Sequence, residues 1–430
     1  MIITIDGPSG TGKSSAAKKL AERLGIAYFD TGAMYRGLAW YCLEHRVSIE
    51  EVSSLEKALK NFSFIITKKG EYVVSGVNIT TKIRSEEIAL LSSKLSSYPS
   101  VRQKLVQMQK AFGKKGPCVF EGRDMGSVVF QKEAARKFFF TANPKIRAQR
   151  RHEQLLKKSS EKTHSLAEIE KQMAARDEAD RRRTLSPLKK TGDMIEIDTT
   201  DLSLNEVVLL MLKYIPLKKM RLFYRMAFYF SCWVARRFYR FRVYGKERRL
   251  AGSALIIANH TSYMDPPLAV MAFGEELHFL ARKSLFRNRL FRWLISTLKA
   301  HPITSGKKDI GAVKTTLEVL KNGEKILLFP EGGRSDGETL LPLEPGIGFL
   351  AYKSGAPIIP MYIEGAQNVW GKRRKFPTFF GDLSCVIGPV LSVDQYRHLD
   401  KKAFIEKVLE ESEKALKELR AELKKQGPHP

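Results

Sequence analysis

Residues Ile2-Ile3-Thr4-Ile5-Asp6-Gly7-Pro8-Ser9-Gly10-Thr11-Gly12-Lys13-Ser14 run a short apolar strand into a glycine-rich turn and straight on into a helix. The turn satisfies G-x-x-x-x-G-K-[ST] in the strand-then-helix context that gives the pattern its meaning. Glycines let successive backbone N–H groups close around phosphate oxygens, a lysine ammonium reaches the β- and γ-phosphates, and a Ser hydroxyl is placed to hold Mg²⁺. Gly7, Pro8, Ser9, Gly10, Thr11, Gly12, Lys13, Ser14 and Ser15 are therefore the expected ATP-binding residues, with Lys13 catalytic and Ser14 contacting the magnesium carried by the nucleotide.

Outward from this stretch, the helix from Lys13 to Leu24 is closed by Gly25, and apolar strands recur at Cys118–Phe120, Phe138–Thr141 and Ile195–Ile197. Alternating strands and amphipathic helices predict an α/β fold whose parallel sheet is covered on both faces. Phe62–Thr67 and Tyr72–Ser75 switch to a period of two around Lys-Lys-Gly, which predicts a small antiparallel insert.

A phosphate-binding loop does not name the acceptor. Phosphoryl transfer is mostly positioning and charge neutralisation, so several converging arginines are expected. Asp30-Thr-Gly-Ala-Met-Tyr-Arg36, Ser93 with Tyr98-Pro-Ser-Val-Arg102, Glu121-Gly-Arg-Asp-Met-Gly126 and Arg176-Asp-Glu-Ala-Asp-Arg-Arg-Arg183 follow in order. With these segments the first half resembles the cytidylate kinase family, a set of P-loop nucleoside-monophosphate kinases. The resemblance implies ATP and CMP or dCMP as substrates. It also implies that Arg36, Arg102 and Arg123 hold the CMP phosphate, that Arg176 and Asp180 read the cytosine, and that Arg183 approaches the phosphates as a catalytic group. Thr31, Ser93 and Asp124 complete the implied pocket, and Arg176, Asp180 and Arg183 are expected on one helical face. The basic stretch Ala148–Lys162 resembles the mobile lid of such kinases, with Arg147 and Arg151 as candidates to reach the transferring phosphate.

After Tyr214 and Pro216 the composition changes: residues 216–249 hold eleven Lys/Arg and one acid, interleaved with Phe, Tyr and Trp. This places the domain boundary between residues 1–215 and 216–430. A second alternation follows, with strands at Ala254–Ala258, Leu277–Leu280, Lys325–Phe329, Pro357–Ile363 and Ser384–Ile387, a helix at Ile310–Leu320, and a last packing helix from Lys401 to Lys425. Residues 218–242 carry an apolar, aromatic centre flanked by Lys and Arg, the pattern of amphipathic membrane-associating helices. A packed helix pair with snorkelling arginines and a nucleic-acid stacking surface share this composition.

Just after the strand Ala254–Ala258 stands Asn259-His-Thr-Ser-Tyr-Met-Asp265. A carboxylate here can orient one imidazole nitrogen while the other accepts a proton, the base half of a charge relay whose nucleophile is a substrate hydroxyl. Phe329-Pro-Glu-Gly-Gly-Arg-Ser335 and Ala356-Pro-Ile-Ile-Pro-Met-Tyr-Ile-Glu-Gly365 follow, and residues 218–400 thereby resemble the glycerolipid acyltransferases, in particular 1-acylglycerol-3-phosphate acyltransferase. By that resemblance His260 is the general base and Asp265 its orienter. Glu331, Gly332 and Arg334 bind the phosphate end of the acceptor, with Lys283 as a secondary phosphate contact. Lysophosphatidate is the implied acceptor and acyl-CoA or acyl carrier protein the thioester donor. Gly333 stands where that family usually has Thr, Arg292 where a Gly is common, and Glu344-Pro345 where a basic residue often precedes Gly346.

At 430 residues and 43% apolar content the chain is expected to hold two or three globular domains. Its 74 Lys and Arg against 46 Asp and Glu give a net charge of +28, so anionic partners are expected: nucleotides and an anionic membrane surface. No nucleic-acid motif occurs, and no nucleic-acid partner is expected. Cys42, Cys118, Cys232 and Cys385 are far apart, which speaks against a disulfide framework or a zinc site. Residues 2–5 leave no room for a signal peptide, and Met226–Ala235 is too short to span a bilayer. The expected location is the cytoplasm, peripherally on the inner face of the membrane. Two alternatives stand beside the bifunctional enzyme: acyl transfer to another lyso-lipid or to glycerol-3-phosphate, and a membrane-tethered nucleotide-binding sensor.

Overall fold

A computed structural model describes residues 1–67, 70–156, 165–304 and 309–425. They form two compact units, residues 1–21 with 26–211 and residues 22–25 with 212–430.

The first half runs β1 (Ile2–Asp6), α1 (Lys13–Leu24), β2 (Ala27–Asp30), α2 (Thr31–Glu44), α3 (Val52–Asn61), β3 (Phe64–Ile66), β4 (Tyr72–Val74), β5 (Val77–Asn78), α4 (Glu86–Leu95) and α5 (Pro99–Gly113). It continues with β6 (Cys118–Glu121), β7 (Ala134–Thr141), α6 (Pro144–Leu156), α7 (Leu166–Arg182), β8 (Ile195–Asp198) and α8 (Leu204–Tyr214). The main sheet is parallel in the order β2-β6-β1-β7-β8. Its central strands are covered on both faces, so Ile3, Ile5, Phe120, Phe138 and Phe140 are all buried. The antiparallel insert has three strands, β3-β4-β5, one more than the two runs read from the sequence.

After β1 the chain crosses first to the β2 and β6 side and later to the β7 side, which opens a crevice at the Asp6 end. Gly7 fills that crevice's edge with φ +144°, where a Cβ would lie 2.4 Å from the Phe140 carbonyl oxygen. Only glycine lets the loop pass so close to β7.

The second half runs α9 (Leu222–Phe238), β9 (Arg242–Tyr244), β10 (Ala254–Ala258), α10 (Asp265–Phe273), β11 (Leu277–Arg282), α11 (Arg289–Thr297), β12 (Ala300–Ile303) and α12 (Ile310–Lys321). β13 (Lys325–Leu328), α13 (Gly346–Ser354), β14 (Ile358–Glu364), α14 (Ala366–Trp370), β15 (Ser384–Ile387) and α15 (Lys401–Lys425) complete it. The seven strands order as β12-β11-β13-β10-β14-β15-β9, parallel except where β15 runs against β14. β10 again lies at a switch point, with β13 on one side and β14 on the other.

Where sequence suggested amphipathic helices over 218–242, the described residues hold one, α9, followed by the edge strand β9. Gly245 and the parallel pairing of β9 with β15 draw residues 242–244 into the sheet, which is why no second helix forms there. Among the described residues no helix is long and apolar enough to cross a membrane.

Lys325, at the start of β13, is buried and pairs with the Glu275 carboxylate at 2.6 Å. Burial raises the Glu275 pKa, opposed first by Lys325 and then by Arg249. Lys325→Ala is expected to destabilise the second unit by about 3–5 kcal/mol, and pairing Lys325→Met with Glu275→Leu to recover most of that loss. Urea unfolding in a Trp40→Phe background, followed by tryptophan fluorescence, reads this unit, which holds Trp233, Trp293 and Trp370. Equal losses in the single and paired replacements would show that volume rather than charge sets the cost.

Candidate active sites

In the first unit the loop after β1 brings the P-loop residues together as expected. Lys13 is buried and donates from Nζ to the Pro8 carbonyl; burial, then the nearby Arg123, lowers its pKa. Ser14 Oγ donates to Glu121 Oε2 at 2.8 Å, and Tyr28 Oη donates to Glu121 Oε1. A hydroxyl beside a buried carboxylate, both hard oxygen donors, fits Mg²⁺ delivered with a nucleotide. Asp6 accepts from the Met125 and Gly126 N–H groups at 2.9 and 2.7 Å, and burial raises its pKa to about 7. Ser15 is the third residue of α1 and is exposed.

Four arginines near this loop are held by three carboxylates. Arg36 donates to Asp30, which also caps α2 through the Ala33 N–H. Arg102 pairs with Asp124, both buried. Arg123 Nε donates to Asp180 Oδ2 at 2.8 Å, and Arg183 Nη2 lies 2.6 Å from Asp180 Oδ1. Arg176 remains open to solvent on one side, yet desolvation and then Arg123, with Arg36 and Arg151 beyond, lower its pKa. Crowded cations of this kind await a polyanion. Thr31 is buried, its hydroxyl donating to the Glu121 carbonyl at 2.6 Å, and Ser93 is half-buried in α4.

Three further expected features stand as follows. α7 ends at Arg182, and Arg183 is its C-cap residue (φ −56°, ψ 129°), whose side chain packs back along the helix onto Asp180. Arg147 is buried, paired with Asp177, and donates to the Ser9 carbonyl at 3.0 Å. Asp177 also accepts from the Ser9 N–H at 3.3 Å, so the pair clamps the phosphate loop. The proposed lid over 148–162 belongs to α6 up to Leu156, and its remainder lies outside the described residues. Nothing in the local sequence marked Asp177, Tyr28 or Asp6, whose partners are distant in the chain.

In the second unit β10 delivers Asn259 and His260 into the crevice at its end. Asn259 donates from Nδ2 to the Ile363 carbonyl and accepts from the Ile363 N–H, stitching the turn to β14 at 2.9 and 2.8 Å. His260 Nδ1 lies 2.8 Å from Asp265 Oδ2, which also accepts the Thr261 and Ser262 N–H groups at 2.7 and 2.8 Å. Asp265 is fully buried, and Phe329 stacks on the imidazole with centroids 4.0 Å apart. With Nδ1 engaged, Nε2 is the nitrogen left to accept a proton.

Glu331 lies behind the same turn. Its oxygens accept the His260 N–H at 2.8 Å and the Leu341 N–H at 3.0 Å, and burial raises its pKa. With one backbone donor on each oxygen, the carboxylate braces the turn that carries His260. Arg334 lies 3.7 Å over the Tyr263 ring, and its Nη1 is buried without a hydrogen-bond partner among the described residues. Lys283 is exposed and does not line the site cavity, whereas the adjacent Arg282 does. That cavity, of about 1460 Å³, is lined by His260, Gly332 and Arg334 and by apolar side chains such as Phe228, Met271, Leu294 and Ile347.

Comparison with known proteins follows this division. The family model for cytidylate kinase matches residues 3–217, and that for acyltransferase matches residues 240–364. The cytidylate kinase of Halalkalibacterium halodurans is 39% identical over 218 residues, 50% of this chain and 97% of that protein. The cytidylate kinase of Protochlamydia amoebophila is 42% identical over 220 residues, 50% of this chain and 96% of that protein. The bifunctional pantoate ligase/cytidylate kinase of Prochlorococcus marinus is 41% identical over 215 residues, 49% of this chain and 41% of that protein.

Asp177→Ala is expected to free the Ser9 N–H and leave Arg147 buried without its carboxylate, loosening the phosphate loop. The KM for ATP should rise about tenfold, with the KM for the acceptor nucleotide changed much less. Steady-state kinetics with each substrate varied in turn checks this, and an equal rise in both constants would count against a local clamp.

Proposed function

Because the chain belongs to the cytidylate kinase family through residues 3–217 and carries an acyltransferase domain over 240–364, we propose that its first half converts ATP with CMP or dCMP into ADP with CDP or dCDP. The second half, in this reading, passes an acyl group from acyl-CoA or acyl carrier protein to lysophosphatidate. The two activities divide near residue 215. The kinase reading is carried by Arg36, Arg102, Arg123 and Arg183, held on internal carboxylates beside the phosphate loop until substrate phosphates take their place. Lys13 and the loop N–H groups grip the donor phosphates, and Arg176 with Asp180 meets the cytosine edge. Mg²⁺ bound with ATP supplies charge neutralisation, and Ser14 and Glu121 are the oxygens that would face it.

The acyltransferase reading is carried by the His260–Asp265 pair at the wall of a large apolar cavity. The acceptor hydroxyl attacks the thioester carbonyl carbon while His260 Nε2 takes its proton; the C–S bond then breaks and the departing thiolate receives that proton. Arg334 anchors the acceptor phosphate, and the cavity takes the apolar chains. Glu344 lines the same cavity, and its negative charge favours a second reading in which another lyso-lipid is the acceptor of the same chemistry. An anionic membrane surface is met through α9, whose Leu222, Met226, Tyr229, Phe230 and Trp233 are exposed among basic residues.

Purified chain given ATP and CMP should form CDP, and given lysophosphatidate and an acyl thioester should form phosphatidic acid. Turnover of AMP as fast as CMP would overturn the cytidine assignment. Lys13→Ala should abolish the kinase reaction and spare acyl transfer. His260→Ala should lower acyl transfer by about 10²–10⁴-fold, the share that positioned base catalysis supplies. Arg334→Ala should act mainly by raising the KM for the phosphorylated acceptor.

A further inference from the structure

Between α14 and β15 the chain reads Gly371-Lys-Arg-Arg-Lys-Phe-Pro-Thr-Phe-Phe-Gly381, with no acid from Gly365 to Gly381. Lys372, Arg373, Arg374 and Lys375 are exposed, and none is ion-paired among the described residues. Phe376, Phe379 and Phe380 are 80, 80 and 71% exposed. Three aromatic rings this open to water on one short loop mark a surface meant to be covered.

The tip stands on a firm root. Gly371 bridges Ser262, and Ser262 Oγ donates to the Trp370 carbonyl at 2.8 Å. Tyr239 Oη donates to the Thr378 carbonyl at 2.7 Å, and the Thr378 N–H donates to the Val369 carbonyl at 2.9 Å. The Phe380 ring lies 6.2 Å from Phe238, which meets Trp233, so the tip continues the open aromatic side of α9. At the other end of α9, Phe223 meets Trp293 of α11 at 5.3 Å, beside the exposed Leu290.

We propose that the 371–381 loop is a second lipid-inserting element: Phe376, Phe379 and Phe380 enter the headgroup–acyl boundary of an anionic bilayer, and Lys372–Lys375 bind its phosphates. The choice of a lipid surface follows from charge complementarity, an acid-free basic run directly beside apolar rings, and from continuity with α9. The inference rests on reading the second half as a membrane-surface acyltransferase, and it adds that the membrane grips the catalytic turn itself. Ser262 is two residues from His260, and Trp370 and Tyr263 line the cavity. The depth to which the loop inserts therefore sets the height of the cavity above the lipid.

The test uses the full chain and phosphatidylcholine vesicles with or without phosphatidylglycerol. Phe376→Ser/Phe379→Ser/Phe380→Ser is expected to weaken partitioning onto the anionic vesicles about tenfold or more, while CMP phosphorylation and the thermal unfolding profile stay unchanged. Replacing Lys372, Arg373, Arg374 and Lys375 by Gln should weaken binding at low salt and lose that effect at high salt. A Met226→Ser/Phe230→Ser variant on α9 separates the two ideas. If the α9 variant loses binding and the loop variants bind as wild type, the loop inference falls and the α9 reading stands. If wild type itself does not bind anionic vesicles, both fall. If the loop variants instead change the sedimentation coefficient in lipid-free solution with vesicle binding intact, the tip is a contact between copies and the proposal is overturned.

Discussion

At the C-terminal ends of β1 and β10 the chain departs toward opposite sides of its sheet, and the crevice opened there is the constraint around which both sites are built. No following strand covers that spot, so a loop with free N–H groups can sit over it. In the first unit the loop is shaped to surround phosphate. In the second it is shaped to hold one imidazole. The difference lies in a few side chains: Gly7 allows the close pass over Phe140, whereas Asn259 ties its turn to Ile363 and leaves His260 facing Asp265.

Both sites hold charge in place before any substrate arrives, by different means. Around the phosphate loop, arginines are kept apart from one another by Asp30, Asp124 and Asp180, so that repulsion among guanidinium groups does not scatter them. In the proposed reading a substrate phosphate exchanges for carboxylates already there, and little reorganisation is needed. At the imidazole site a single oxygen, Asp265 Oδ2, gathers three donors, two of them backbone. Those backbone bonds fix the carboxylate whether or not the imidazole is charged, which keeps its aim constant through a proton transfer.

The fold was legible wherever period and punctuation agreed. The strand, loop and helix from Ile2 to Leu24, the strand Ala254–Ala258 and the helix Lys401–Lys425 stand where apolar spacing puts them. β12 was missed because Pro302 argues against a strand; it is tolerated there because β12 is an edge strand. β9 was hidden inside an Arg- and Tyr-rich stretch whose composition speaks of a surface. Motif residues were legible, and their partners were not. Arg123 after β6 and Asp180 on α7, or Asn259 after β10 and Ile363 in β14, meet only because the fold brings distant segments together. Glu331 shows the further limit that a motif position does not reveal which backbone groups its side chain will satisfy.

The cavity beside His260 is walled largely by aliphatic and aromatic side chains over about 1460 Å³. A hydrocarbon tail entering such a space gains about 0.8 kcal/mol for each methylene withdrawn from water. Val313, Thr316 and Ile405 are among the residues that line it. Such a lining discriminates by the amount of apolar surface withdrawn from water, so it grips a tail along its length and needs no side chain to recognise the chain end.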